Sequence, residues 1–310
     1  MPLLKRRSVF AAKTETTIGT AEALAGADGA FNVRNQKFVA NIPMTEREGQ
    51  GGFNYLPSVP SQRGGTVTFT TDAFYDGTTI PTWATVLLPG CGFINTAGLF
   101  APLSREPGAS VKTLTIGGYY DGKFYSLAGC AGTFVINCPT GDVVSIDWTF
   151  QGKFVSPSDV TLIAPTYPTT MPMRMAAGSF SWASASLCTK SCTVDAGNEV
   201  ILRECAGEVT GIKSGLIVSR KPMITADPEM VLVATQNRHS QWLTPTTGAL
   251  VITTGAGSEN RLTITAAVAQ IQDLQEGDRN KMLTDDIKWL CCANGSTPDT
   301  ELTIDFTEGV

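Results

Sequence analysis

The sequence predicts a mainly β chain built from two tandem copies of one strand–strand–helix–strands unit. Three observations carry that reading. The clearest periodicity is the two-residue alternation of half-buried strands. Turn residues are plentiful, with 31 Gly and 17 Pro. Four segments of the first half recur, in order, in the second. Of the 310 residues 42% are hydrophobic and only 16% charged. An average soluble chain has about 25% charged residues, so a disordered chain or a coiled coil is excluded.

In chain order, Pro81 to Leu88 reads as a short helix. Proline suits its first turn, and Pro89-Gly90 is expected to end it. Gly118 to Tyr125 reads as a hairpin turning at Asp121-Gly122. Thr133 to Cys138 is a strand, joined through Pro139-Thr140-Gly141-Asp142 to the next one. That next strand is the clearest: Val144, Ile146, Trp148 and Phe150 alternate with Ser145, Asp147 and Thr149.

The repeat rests on four matches. Gly65–Phe69 resembles Gly215–Ser219, Pro81–Leu87 resembles Pro228–Ala234, Lys112–Ile116 resembles Asn260–Ile264, and Ser145–Thr149 resembles Thr303–Thr307. One large β-sandwich with chance similarities is the alternative. The expected organisation is an N-terminal arm over 1–19, a first domain over 20–155, a Pro-rich extended linker over 156–177, and a second domain over 178–310. The arm is expected to order only against a neighbour or to be a disordered tail.

Several function classes lose their usual residues. His239 is the only histidine and stands in a polar run, as a solvated loop or helix-end residue would. Phosphate-loop, nucleophile-elbow and zinc-protease motifs are absent. Gly255-Ala256-Gly257-Ser258 reads as a hairpin tip and Asn294-Gly295 as a turn. The spacing of the eight cysteines forms no paired zinc pattern, so they read as small buried hydrophobes. No catalytic, cofactor-binding or metal-ligating residue is expected. No apolar run is long enough to span a membrane, and no signal-peptide core precedes Lys13, so folding in the cytosol is expected. The net charge of −5 gives no global attraction for nucleic acid.

The first half carries a further series. Ala27-Asp28-Gly29-Ala30-Phe31-Asn32-Val33 precedes Glu46-Arg47-Glu48 and Leu56-Pro57-Ser58-Val59-Pro60. Pro81-Thr82-Trp83 leads to Cys91-Gly92-Phe93, and Tyr120-Asp121-Gly122 to Ala128-Gly129-Cys130-Ala131-Gly132-Thr133 and Phe150-Gln151-Gly152. Over about residues 20–165 this series resembles the major tail tube proteins of long-tailed, siphovirus-like bacteriophages. Thr82 stands where the family pattern has Ala. The second half lacks the tryptophan and the Cys-Gly-Phe, and joins through the internal repeat.

The resemblance implies a β-sandwich or barrel with one short flanking helix per domain. It implies six domains per ring, and rings stacked into a hollow tube through which viral DNA leaves without specific binding. Two domains per chain then make a trimeric ring with pseudo-sixfold symmetry the favoured assembly, with a hexamer of chains as the other. Edge strands become the joints between neighbours. The expected partners are the chain itself and the tail proteins at the tube ends: terminator, distal tail and tape measure. The expected location is the virion tail, after synthesis in the host cytoplasm.

Residues 44–63 read as a long loop without periodicity, and such loops are usually functional. Glu46, Arg47, Glu48, Phe53, Tyr55, Leu56, Pro57, Val59 and Arg63 are its candidate contacts with the adjacent ring, and Lys5, Arg6 and Arg7 are candidate arm contacts. Two other readings compete. One is a single-ring tail component, a terminator or distal-tail adaptor, on the same fold. The other is a hydrolase using carboxylates such as Asp285 and Glu276.

Overall fold

The structure is a computed structural model that describes residues 3–104, 112–255 and 260–306. It is mainly β. Along the chain run β1 (Ser8–Thr14), β2 (Val33–Asn41), β3 (Met44–Glu48), β4 (Tyr55–Pro60), β5 (Gly64–Asp72), β6 (Phe93–Thr96), β7 (Leu99–Pro102), β8 (Leu114–Tyr120), β9 (Lys123–Pro139) and β10 (Ser145–Asp159). They are followed by β11 (Ser179–Trp182), β12 (Ala185–Ser186), β13 (Ser191–Asp195), β14 (Asn198–Glu204), β15 (Ile212–Arg220) and β16 (Met223–Ala226). The last strands are β17 (Thr247–Thr254), β18 (Leu262–Arg279), β19 (Met282–Cys292) and β20 (Thr303–Asp305).

The predicted alternation holds on β10, whose Ile146, Trp148 and Phe150 are buried. The ring of Trp148 packs with those of Phe69, Phe134 and Phe150. The hairpin at Asp121-Gly122 also forms as expected. Tyr120 pairs with Lys123, and both turn residues have positive φ, 48° and 103°. The helix differs from expectation. A π-helical turn, Trp83–Leu87, runs on into α1 (Leu88–Gly90), so Pro89 lies inside the helix and does not follow it. Proline tolerates a first α-turn, where its missing N–H is not needed.

The expected arm is corrected as well. Residues 8–14 form β1, paired along its whole length with β8, and Phe10, Ala11 and Ala12 are buried. The tetrad Val9 to Ala12 is too short and too uniformly apolar to show a period. The linker begins later than expected. β10 carries Pro157 at a register irregularity and ends at Asp159, after which 160–173 has neither helix nor strand. Met173 and Met175 anchor its far end in the core.

Sixteen strands join into one sheet system among the described residues. Its first part reads β1-β8-β9-β10-β5-β2 and its second β11-β17-β18-β19-β16-β13, every neighbour antiparallel. Numbered within its own half, each part has the strand order 1-4-5-6-3-2. Each half also inserts a separate two-stranded hairpin between its second and third strands, β3–β4 or β14–β15. Each places a short helix between its third and fourth strands, α1 or α2 (Arg238–Leu243). The halves meet where β13 pairs with the C-terminal end of β9 and where β20 pairs with β7. A shared core of buried side chains runs through both.

The matched segments do not occupy counterpart positions in this order. Gly65–Phe69 lies in β5, but Gly215–Ser219 lies in the hairpin strand β15. Pro228–Ala234 is not helical, and α2 begins only at Arg238. Lys112–Ile116 leads into β8, the fourth strand, whereas Asn260–Ile264 opens β18, the fifth. Ser145–Thr149 is in β10, whereas 303–305 forms β20 and Thr307 falls outside the described residues, as do 256–258 of the glycine-rich tip. Half-buried strands all alternate alike, so short matches locate strands without telling which strand.

Candidate assembly surface

Residues 44–63 are not structureless. β3 and β4 form a hairpin in which Met44 opposes Pro60, Arg47 opposes Leu56 and Glu48 opposes Tyr55. Gly49 N–H donates to Asn54 O at 2.8 Å and closes the turn. Every residue of both strands is exposed, so no face alternates and no period shows in the sequence. A two-stranded ribbon has free edges, which tolerate the prolines of β4. Glu46, Arg47 and Glu48 lie on β3, and Tyr55, Leu56, Pro57 and Val59 on β4. Phe53 stands fully exposed in the turn, and Arg63 immediately precedes β5. A lone hairpin is at best marginally stable in water. This one presents Tyr55 and Val59 67% and 50% exposed.

The second hairpin sits differently. β14–β15 lies across β9 and β10 of the first half. A Cβ on Gly215 would come within 2.7 Å of Gln151 O and 2.9 Å of Ala131 N, which is why the position takes glycine. Ile212 and Ser214 are buried in this contact. Asn198 Nδ2 donates to Cys91 O at 2.8 Å and to Gly132 O at 2.9 Å. Arg220 Nε donates to Asn198 Oδ1 at 3.1 Å, while its Nη1 meets Glu301 at 2.7 Å and its guanidinium lies over the Phe93 ring. At the far end Lys153 pairs with Glu208 at 3.2 Å, and Arg63 N–H donates to Thr210 O at 3.0 Å. The tip of the second hairpin thus reaches the root of the first.

A buried carboxylate supports this seat. Glu15 Oε2 accepts from Gly19 N–H at 2.7 Å and Thr113 Oγ1 at 2.6 Å, and its Oε1 from Thr115 Oγ1 at 2.9 Å and Gly129 N–H at 2.6 Å. Gly129 has φ of 63° in the β9 irregularity, and Ser214 of the hairpin packs directly on it. Burial, with the Glu15 charge as a lesser cause, holds the adjacent Cys130 thiol well above its ordinary pKa. Nothing in the sequence marks Glu15, a single acid in a polar run.

The arm residues divide. Arg7 pairs with Asp121 of the β8–β9 turn at 2.8 Å, and Leu4 N–H donates to the same carboxylate at 2.9 Å. Lys5 and Arg6 are exposed. The carboxylates weighed for hydrolysis, Glu276 on β18 and Asp285 on β19, are direct cross-strand partners but differ in environment. Asp285 is buried and paired with Arg238 of α2 at 2.6 Å, whereas Glu276 is exposed. His239 is exposed on α2. Among the described residues no group of His, Cys, Asp and Glu is arranged to hold a metal ion, and no helix is long and apolar enough to cross a membrane. All eight cysteines are free thiols.

The geometry offers two hairpin surfaces, one seated on its own chain and one presented to solvent. A family model described as phage tail tube protein matches residues 5–306. No curated protein matches the chain.

Proposed function

The chain belongs to the phage tail tube protein family, a structural component of the virion tail and not an enzyme class, and from that premise we propose that it assembles into stacked rings forming the conduit for DNA ejection. The observation that carries this reading is a match to the family over nearly the whole chain. The repeated strand order supports a further step: each chain supplies two tube domains, and three chains complete a ring with pseudo-sixfold symmetry. Head-to-tail contacts close such a ring.

The acidic balance of the chain, net −5, suits a passage whose cargo is a polyphosphate, because Lys and Arg would bind that cargo through counterion release. The exposed hairpin β3–β4 and the arm residues Lys5 and Arg6 are the surfaces offered for assembly. Other tail proteins would meet the tube at its ends, and synthesis would take place in the host cytoplasm.

Negative-stain electron microscopy of the purified chain tests the reading. Hollow tubes of stacked rings are expected. Closed single rings that never stack at high concentration would transfer the chain to a terminator-like or adaptor role.

A further inference from the structure

We infer that the joint between neighbouring chains copies the joint inside the chain, with hairpin β3–β4 lying across β18–β19 of the next copy and the end of β2 pairing with the end of β18. The inference rests on the proposed ring and names the surface that closes it.

Besides the pairing of β20 with β7, the inner joint has two parts. β13, the second strand of its half, pairs through one edge with β9, the fifth strand of the other half, over Val135–Pro139. The hairpin that follows β13 then crosses β9 and β10. The same parts exist, unused, at the two ends of the chain. β2 is the second strand of its half and ends the sheet path, with a free outer edge among the described residues. β18 is the fifth strand of its half, and beyond Gln270 it pairs only with β19. The connections to the hairpins agree: Ile42-Pro43 joins β2 to β3, and Ala196-Gly197 joins β13 to β14.

Register locates the contact. Gly64 and Met223 each open the third strand of their half. Gly64 faces Lys153, which faces Ala128; Met223 faces Leu290, which faces Gln270. Two residues back along each sixth strand, past a bulge in each fifth strand, stand the pairs Ala131 with Gln151 and Asp273 with Lys288. Gly215 packs on the first of these pairs. Counting back from the paired strand ends at Arg220 and Pro60, the counterpart of Gly215 is Tyr55. Tyr55 is thereby assigned to Asp273 and Lys288 of the neighbour, and residues 39–41 of β2 to 277–279 of its β18.

The two seats differ as a permanent and an assembling surface should. The inner seat is made of Gly129, Ala131 and Gly132, all buried beneath the hairpin. The outer one is a groove of about 430 Å³ whose lining includes Thr193, Thr225, Asp273, Gln275, Asp286 and Lys288. Gln151 is half-buried under its hairpin, whereas the side chain of its counterpart Lys288 is 53% exposed. A polar groove is stable in water until a second copy covers it.

The test uses the full chain carrying Tyr55→Cys together with Asp273→Cys, assembled and then oxidised. The expected result is an interchain disulfide, located by peptide mapping, that yields covalent dimers and trimers and nothing larger, with neither single variant linking at those positions. Tubes that form without this link, or a ladder running past the trimer, would overturn the joint and leave the tube reading standing. Chains that stay monomeric would overturn both. Hydrogen exchange on the unaltered protein repeats the test without substitutions. The amides of β4 and of 277–279 should slow at least about tenfold on assembly; equal rates in monomer and tube would refute the joint.

Discussion

Replacing Glu15 by Gln tests the seat of the second hairpin. The carboxylate receives four donors, two per oxygen, at 2.6–2.9 Å in a site where it is only 5% exposed. A glutamine offers one carbonyl oxygen and one NH2 group. Whichever way the amide turns, one backbone N–H, of Gly19 or Gly129, faces an NH2 instead of an acceptor. The threonine hydroxyl on that side can rotate and accept, but the backbone N–H cannot. One bond to a charged acceptor is lost and the others become neutral, so the loss is about 2–4 kcal/mol. Urea unfolding of monomeric chains, followed by tryptophan fluorescence, reads the loss. Hydrogen exchange should also show Ser214 and Gly215 of β15 opening more often, because Gly129 carries that contact. Stability within about 0.5 kcal/mol of the parent, with unchanged exchange on β15, would refute the argument.

Three further outcomes are expected. Arg238→Met leaves Asp285 buried without its guanidinium, 2.6 Å away in the parent, and should lower stability by about 3–5 kcal/mol in the same denaturation assay. Gly215→Val drives a Cβ into Gln151 O and Ala131 N, so 198–220 should lift from its seat, seen as faster amide exchange there and impaired tube growth. Burial holds Cys91 well above its ordinary thiol pKa and pushes Cys291 up to about 12, so both stay protonated while the chain is folded. Alkylation at pH 8, mapped by mass spectrometry, should label exposed Cys188 first and these two only on unfolding. Their native forms retain protons that the unfolded chain releases near pH 9, so their contribution to stability falls as pH climbs above that value.

What the sequence disclosed follows from what burial does to side-chain order. β10 was legible because one face meets the core and the other does not, leaving Ile146, Trp148 and Phe150 at alternate positions. The β8–β9 turn was legible because Asp121 and Gly122 suit positive φ. Hairpin β3–β4 was not, since Met44 to Glu48 has no buried side in the single chain and so no contrast to read. The strand order 1-4-5-6-3-2 seen in each half depends on long-range pairing and has no local signature, and the short sequence matches fall on non-counterpart strands. Glu15 was invisible for the same reason, because three of its four donors, Thr113, Thr115 and Gly129, lie 98–114 residues away in the chain. The strand pairing of residues 44–60 and their counterpart at 198–220 came only from the fold.

In the proposed assembly one chain supplies two tube domains and three chains close a ring. The measurement that tests it most directly is the mass of a single ring, released from tubes and weighed by native mass spectrometry, alongside rotational averages of end views. Six lobes from three chains of 32.8 kDa each are expected. Six lobes from six chains would contradict that assembly.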